Sequence, residues 1–256
     1  MQAQQKLNEF ATPMSPRYAT VNPAANAGLV EGMKGLFNPT DTVSRQFKNG
    51  MMGTGVLGFD EINMSQSIGM HTTGAWGTTI TSTGTLSTQG QATLPISFTG
   101  SSKTWKQGDV FTIAGVYAVN PQTRQSTGSL QQFVVTADLT ASSTGTLSIS
   151  PAIYTADHAL ATVDSFPQAT AVVTMLGSAS TQYAQNLSYH KDAITLATAD
   201  LLLPQGVDMA SRQTHNGISM RIVRQYDINN DRMPCRVDVL YGYAAIRPSM
   251  ATRIWG

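Results

Sequence analysis

Apolar residues in the first part of the chain recur at helical spacing. Asn22-Pro23 supplies an N-cap and then a proline at the first helical position, which together predict a helix start. The apolar face that follows consists of Ala24, Ala27, Leu29, Val30, Met33, Leu36 and Phe37. A second helix is predicted to start at residues 38–41 and to stop at residues 48–50. The glycine-interrupted run 55–62 predicts a strand.

Between residues 72 and 177 the pattern changes to short apolar runs rich in β-branched residues. The predicted strands are residues 92–98, 110–116, 131–137, 146–149 and 169–176. Turn signals stand at residues 99–101, 107–109, 120–121, 126–128 and 144–145. This spacing favours a small antiparallel β-barrel or sandwich. A Ser/Thr-rich linker is the alternative, and it is disfavoured because Phe98, Trp105, Phe111 and Phe133 supply a core.

The last part of the chain, from about residue 178, alternates between apolar and polar positions. Residues 186–197 predict a buried strand or a pair of strands. A long hairpin is predicted from two alternating runs, 217–226 and 233–241, joined by a five-residue turn at 227–231. The positions predicted to share a face are Ile218, Met220 and Ile222 in the first run, and Cys235, Val237, Val239 and Tyr241 in the second. Residues 251–255 predict a closing edge strand.

Composition narrows the function classes. The chain has 256 residues, of which 41% are hydrophobic, so it has enough apolar residues for a core. Charged residues make up 12%, against the usual share of about 25%. The formal net charge of +1 argues against electrostatic capture of nucleic acid or of an anionic membrane. The start lacks the apolar stretch of a secretory signal, and we expect synthesis in the cytoplasm and no membrane partner.

Candidate chemistry is sparse. Residues 227–231, with Asp238 further on, have the oxygen spacing that begins a calcium loop, but Arg232 replaces the glycine that such a loop needs. A hairpin turn in which Asp and Asn side chains bond their own backbone is favoured instead. The four histidines are too widely spaced in sequence to suggest a zinc site. Cys235 alternates with Val237, so it is predicted to be a small core residue rather than a nucleophile. We therefore expect no catalytic residue, no metal site and no cofactor.

Several segments of the last part resemble one protein family. They are NLSYHKDAI (186–194), LLLPQGVD (201–208), GISMR (217–221), RQYDI (224–228), RVDVLYG (236–242) and RP (247–248). Matching segments occur upstream at 22–23, 35–37, 52–53 and 57–60, and in the middle at 108–116 and 120–121. Together they resemble the P22-like coat proteins of tailed phages. The similarity covers almost the whole chain and corresponds to the later part of a coat chain, because family members carry an amino-terminal arm and a spine helix ahead of the matched region.

The resemblance implies an α+β class: an HK97-like coat fold, with parts of its peripheral and axial domains, and an inserted antiparallel β-barrel. The expected limits are residues 1–71 and 178–256 for the coat core and 72–177 for the insertion. The resemblance also implies that the chain is a major capsid subunit, made in the bacterial cytoplasm and located in the virion. Its implied partners are further copies in hexamers and pentamers, a scaffolding protein, a portal, and packaged double-stranded DNA bound without sequence specificity.

Charged side chains are the candidate subunit contacts. They are Lys103, Lys106, Asp109 and Arg124 in the charge-poor middle, and Arg221, Arg224 and Arg247 near the end. For the arginines near the end, ordinary solvated strand faces are an equally good interpretation, because exposed ion pairs are common and weak. Two other functions stay open. One is a β-rich decoration, tail or adhesion module of the virion. The other is an enzyme, for which the spacing offers no acid, base and nucleophile set.

Overall fold

The computed structural model describes residues 2–33, 53–84 and 86–255. These residues form mostly β-sheet with two α-helices. They divide into two compact units, residues 1–190 with 249–256 (unit 1) and residues 191–248 (unit 2). The second helix predicted at 38–50 lies outside the described residues. No helix in the described part of the chain is long and apolar enough to cross a membrane.

The elements follow one another along the chain with few helices between strands. The first are α1 (Gln2–Glu9), β1 (Arg17–Val21), α2 (Pro23–Met33), β2 (Gly53–Val56), β3 (Phe59–Met64) and β4 (Met70–Thr72). Next come β5 (Thr78–Ser82), β6 (Gln91–Thr99), β7 (Lys103–Trp105), β8 (Val110–Val119), β9 (Ser126–Val135), β10 (Leu139–Ala141), β11 (Thr144–Ile153) and β12 (Val173–Met175). The last are β13 (Gln182–His190), β14 (Ile194–Ala199), β15 (Met209–His215), β16 (Ile218–Arg224), β17 (Cys235–Ala245) and β18 (Ala251–Trp255).

A six-stranded sheet combines strands from both ends of the chain. Its order is β18-β13-β1-β3-β2, and β4 pairs with an end of β13. β1 and β3 are parallel, whereas the other pairs are antiparallel. The predicted edge strand at 251–255 is confirmed as β18. The predicted helix start is also confirmed, because the Asn22 side chain accepts a hydrogen bond from the Ala25 amide at 2.9 Å. Leu7 of α1 and Leu29 of α2 pack on this sheet with Phe59 and Ile62.

A second sheet curls into a near-closed antiparallel β-barrel. Its strands run in the order β12-β8-β9-β11-β6-β5, and the two-stranded ribbon β10-β7 lies beside it. A bridge between Thr81 and Val172 brings the first and last strands of this order together. The Ser82 amide also donates to the Ala171 carbonyl at 2.9 Å. The barrel prediction for the middle of the chain is thereby confirmed.

Aromatic side chains fill the barrel, as the sequence predicts. Trp105, Phe111 and Phe133 are fully buried, and Phe98 is nearly so. The Phe98 and Trp105 rings meet edge to face with centroids 4.6 Å apart, and the Phe111 and Phe133 rings stack at 5.7 Å. Successive side chains of a strand point to opposite faces, so every second one enters the barrel interior and burial alternates in the second half of β6 and of β9.

Several local predictions in unit 1 are wrong or only partly confirmed. The run 55–62 is a hairpin rather than one strand, because Leu57 and Gly58 take positive φ angles and turn β2 into β3. Residues 126–128 belong to β9; Gly128 has a φ of +77° and lies where the register with β8 is irregular, so it marks a distorted strand rather than a turn. The predicted strand 169–176 shortens to β12.

Unit 2 is a four-stranded antiparallel sheet in the order β14-β17-β16-β15. The predicted long hairpin is confirmed as β16 and β17, although its connection spans residues 225–234. Within it Asp227 accepts a hydrogen bond from the Asn229 amide at 3.0 Å, which is the predicted Asx turn. The prediction that Cys235 is a core residue is wrong: Cys235 is exposed. The alternation correctly placed Cys235 and Val237 on one face of the sheet, but that face is exposed to solvent.

Candidate functional site

A buried aspartate joins the barrel to the six-stranded sheet. Asp109 precedes β8 and is fully buried. Its carboxylate bonds to the His71 Nε2 atom at 2.9 Å and accepts from the backbone amides of Gly74 at 3.1 Å and Lys106 at 2.8 Å. His71 lies on β4, which pairs with β13 of the other sheet. The candidate contact Asp109 is therefore bonded inside the subunit. Its bonds to His71 and Gly74 hold the segment that leads from β4 to the barrel strand β5.

Arg253 on β18 reaches the same junction. Its Nη2 atom donates to the Gly108 carbonyl at 2.7 Å, and its guanidinium lies over the Trp255 ring, which stacks on Tyr183. Burial lowers the pKa of Arg253, and the charge of Asp109 partly opposes that effect. Sequence reasoning missed both His71 and Arg253 here. They are far from Asp109 in the sequence and belong to different elements, so no local spacing could have revealed them.

Two candidate lysines lie at the ribbon β7-β10. Lys103 is half-buried at the start of β7. The Lys106 ammonium donates to Asp138 at 2.8 Å, and both side chains are exposed. The hydrogen bond from Lys106, followed by one from the Gln107 amide, lowers the pKa of Asp138, and the same bond with Asp138 raises the pKa of Lys106. This pair contributes little to stability because water screens it.

Arg124 lies in the loop between β8 and β9 at one end of the barrel. It has a φ of +56°, and its amide donates to the Asn120 carbonyl at 2.8 Å. The Asn120 side chain also donates to the Glu9 carbonyl at the end of α1, at 2.9 Å. An open cavity of about 380 Å³ lies here. Its lining includes Arg124, Pro121, Pro151, Tyr154 and Leu160. The arginine thus stands beside a mostly apolar depression.

The three candidate arginines of unit 2 have different surroundings. Arg221 donates to the Asp238 carboxylate through Nε at 3.2 Å and also through Nη2, and its Nη1 donates to the Leu202 carbonyl at 2.6 Å. Hydrogen bonds from Arg221 and then from Arg236 lower the pKa of Asp238. Arg224 and Arg247 are exposed. Arg221 is therefore bonded within its own sheet, whereas the other two side chains are accessible to a partner.

The remaining titratable residues do not converge on a centre within the described ranges. No group of three or more His, Cys, Asp or Glu side chains there is arranged to hold a metal ion. His190 is buried at the end of β13, and His158 stacks on Tyr154 with ring centroids 4.5 Å apart. Asp109, Arg221 and Arg253 instead make ion pairs or hydrogen bonds within the subunit, so these charges stabilise local structure.

Two comparisons with known proteins found similar ones. The family described as "P22 coat protein - gene protein 5" matches residues 1–256. Among solved structures, the chain is similar to the "CUS-3 coat protein I-domain" at 29% sequence identity, over 39% of this chain and 96% of that chain, with a TM-score of 0.30. The search of curated proteins found no match.

Proposed function

The chain belongs to the P22 coat protein family, and we propose on that premise that it is the major capsid subunit of an icosahedral phage head that encloses double-stranded DNA. The observation that carries the proposal is the family match over residues 1–256. It confirms the resemblance seen in the sequence segments and makes the chain a structural protein of the phage capsid rather than a catalytic one. The mechanism is geometric: identical subunits repeat the same contacts until the shell closes.

The proposed architecture is an HK97-like core, residues 1–71 and 178–256, interrupted by an insertion at 72–177. The barrel strands and the ribbon β7-β10 all lie between Thr78 and Met175, inside those limits. The six-stranded sheet supports the same division, since β1 to β4 come before the barrel in sequence while β13 and β18 come after it. This strand order is expected when an inserted domain interrupts a sheet and the chain afterwards returns to the same sheet. The Asp109 junction stands where the two parts meet.

The proposed contacts between subunits involve the accessible members of the charged set. These are the exposed Lys106, Arg124, Arg224 and Arg247, together with the half-buried Lys103. Asp109 and Arg221 would act indirectly, by fixing the elements that present the others, because their own hydrogen bonds are made inside the subunit. Exposed charges affect the orientation and rate of association more than its free energy.

The proposed partners are further copies in hexamers and pentamers, a scaffolding protein and a portal. Packaged DNA would be enclosed without sequence-specific contacts, and a formal net charge of +1 gives the chain little electrostatic attraction for it. A membrane partner is not part of the proposal. Repeated weak contacts suffice for such an assembly, because each added subunit engages several neighbours at once.

Co-expression with the phage's scaffolding protein tests the proposal. We expect the chain to sediment through a sucrose gradient as large particles, and electron microscopy of those fractions to show closed shells or regular lattices. A variant with Arg124→Glu and Arg247→Glu should give fewer particles at an unchanged subunit stability. Small monodisperse species alone, with and without the scaffolding protein, would overturn the proposal.

One observation favours a second candidate function, a decoration, tail or adhesion module of the virion. The barrel has a core of its own, built from residues such as Leu94, Phe111 and Phe133, and such a module can present a binding surface. In that case the chain would bind to shells made by another protein without forming a lattice itself. Particles formed from this chain and the scaffolding protein alone would argue against the module.

A further inference from the structure

Two short segments of unit 1 carry the chain between the six-stranded sheet and the barrel. Residues 73–77 lead from β4 into the barrel and residues 176–181 lead from the barrel back to β13. These two segments, here called the neck, are bonded to each other. The Thr73 amide donates to the Thr181 carbonyl at 3.0 Å, and the Thr181 amide donates to the Thr73 hydroxyl at 2.9 Å. The entry and exit of the barrel therefore lie side by side.

The neck lies at the first residue of β8. The Leu176 amide donates to the Val110 carbonyl at 2.8 Å. Asp109, the preceding residue, accepts from the Gly74 amide of the neck at 3.1 Å. The bond from Arg253 to the Gly108 carbonyl is made at the same place. These attachments of the barrel to the sheet are all close together, so they fix its position better than its angle.

The helix α1 is attached to the barrel at the other end of β8. Asn120 directly follows β8, and its side-chain amide donates to the Glu9 carbonyl at 2.9 Å. The Ser129 hydroxyl of β9 donates to the Glu9 carboxylate at 2.9 Å. Because β8 has 10 residues, this attachment is about 30 Å along the strand from the neck, at about 3.3 Å per residue.

The last turn of α1 is also fixed to the six-stranded sheet. Leu7 is fully buried in the core of that sheet together with Phe59. The Asn8 side-chain oxygen accepts from the Arg17 guanidinium at 2.7 Å, and Arg17 is the buried first residue of β1. Three successive residues thus have three different partners: Leu7 packs in the sheet core, Asn8 bonds to β1, and Glu9 bonds to the barrel.

The attachment of α1 to the barrel differs in kind from its attachment to the sheet. Leu7 and Ala3 pack with the sheet core, whereas the described members of the barrel core include no α1 side chain. The Glu9 carboxylate accepts from Gln5 of the same helix at 2.8 Å as well as from Ser129. Hydrogen bonds of this kind exchange with water at a modest net cost. The α1–barrel attachment therefore opens without exposing an apolar core.

We propose that α1 is a brace that sets the angle between the barrel and the six-stranded sheet. A body attached at one place rotates about that place, and a second attachment far from the first fixes the angle. When the bonds of Glu9 to the barrel are broken, the barrel swings about the neck as a hinge. With a lever of about 30 Å, a swing of about 20° moves the far end of the barrel by about 10 Å. The inference goes beyond the proposed function and applies equally to a shell subunit and to a decoration module.

Electron–electron double resonance between two spin labels on the full chain measures this angle. One label is placed at Ala159→Cys, in an exposed loop at the far end of the barrel, where the Val119 amide donates to the Thr162 carbonyl at 3.3 Å. The other is placed at Asn63→Cys, an exposed position of β3 in the sheet. Cys235→Ser removes the one native thiol.

The brace variant combines Asn120→Asp with Ser129→Ala. The aspartate keeps the oxygen that accepts from the Thr123 amide at 3.1 Å, so the loop turn is retained, but it has no N–H to donate to Glu9. The alanine removes the hydroxyl that donates to the Glu9 carboxylate. The matched control combines Gln122→Glu with Ser101→Ala, which makes the same chemical changes at exposed positions of the barrel.

The labelled chain and the control should each give one narrow distance distribution. The brace variant should give a distribution at least twofold broader, while near-ultraviolet circular dichroism shows that it remains folded. A distribution as narrow as that of the control would overturn the inference, because the neck alone would then fix the angle. A broad distribution in the labelled chain itself would also overturn it. If the double variant does not fold, Ser129→Ala alone is measured, and an unchanged width there would overturn the inference as well.

Discussion

Replacing Asp109 by alanine should destabilise unit 1 strongly. The substitution removes the carboxylate that bonds to His71 and that accepts from the amides of Gly74 and Lys106. Alanine offers no acceptor in its place. The Gly74 amide, whose bond to Asp109 is buried, then has no partner on that side, and His71 loses the carboxylate at 2.9 Å.

The magnitude follows from the donors left without a partner. A buried donor that loses its acceptor costs about 1–3 kcal/mol, and a hydrogen bond to a carboxylate contributes about 1.5–3 kcal/mol. These contributions overlap because they share one carboxylate, so we expect a loss of about 3–5 kcal/mol in the free energy of unfolding. That is a large share of the total of about 5–15 kcal/mol typical of natural domains.

Urea unfolding followed by tryptophan fluorescence measures the effect, since Trp105 is buried in the barrel core. With a slope of about 2 kcal/mol per molar urea, the midpoint should fall by about 2 M. The matched control is Asp138→Ala, which removes an exposed carboxylate paired with Lys106. Its midpoint should barely move. If Asp109→Ala unfolds at the same urea concentration as Asp138→Ala, the junction does not stabilise unit 1 and the reasoning is wrong.

Two further predictions concern backbone space and pH. Gly74→Ala should lower the free energy of unfolding by about 1–3 kcal/mol, because the added Cβ would overlap the Thr104 carbonyl oxygen. Gly28→Ala in α2, with open space around it, should be neutral or stabilising in the same urea assay. The ion pair of Asp238 should persist at neutral pH and be lost on acidification below about pH 4. The pKa of this carboxyl is lowered in the folded chain, so its ionised form stabilises the fold at higher pH, and that stabilisation disappears as the carboxyl protonates. An NMR titration of the Asp238 carboxyl should show a midpoint below the ordinary aspartate range, and Arg221→Gln should raise it; an unchanged midpoint would contradict the assignment.

The local pattern of the sequence predicts much of the barrel and of the long hairpin. The short apolar run 110–116 identifies a buried strand, and the alternation along 217–226 identifies a strand with one apolar face; both properties are read within a few residues. The aromatic core was predictable for the same reason. Turns are less certain: residues 126–128 have turn composition, but the pairing of β9 with β8 incorporates them.

Contacts between distant segments could not be predicted in this way. His71, Asp109 and Arg253 meet because β4, the turn before β8 and β18 are brought together by sheet pairing, and no periodicity relates these positions. The prediction that Cys235 is a core residue failed for a different reason. Its alternation with Val237 correctly groups the two on one face, but whether a face is buried depends on what packs against it, which a strand's own sequence does not contain.

Electron cryomicroscopy of purified particles tests the central claim most directly. The reconstruction should show an icosahedral lattice in which this chain forms the continuous shell, with the six-stranded sheet in its floor and the β-barrel as a separate density on each subunit. A shell built from another protein, with this chain bound on its surface or on the tail, would contradict the claim and identify a decoration or adhesion module instead.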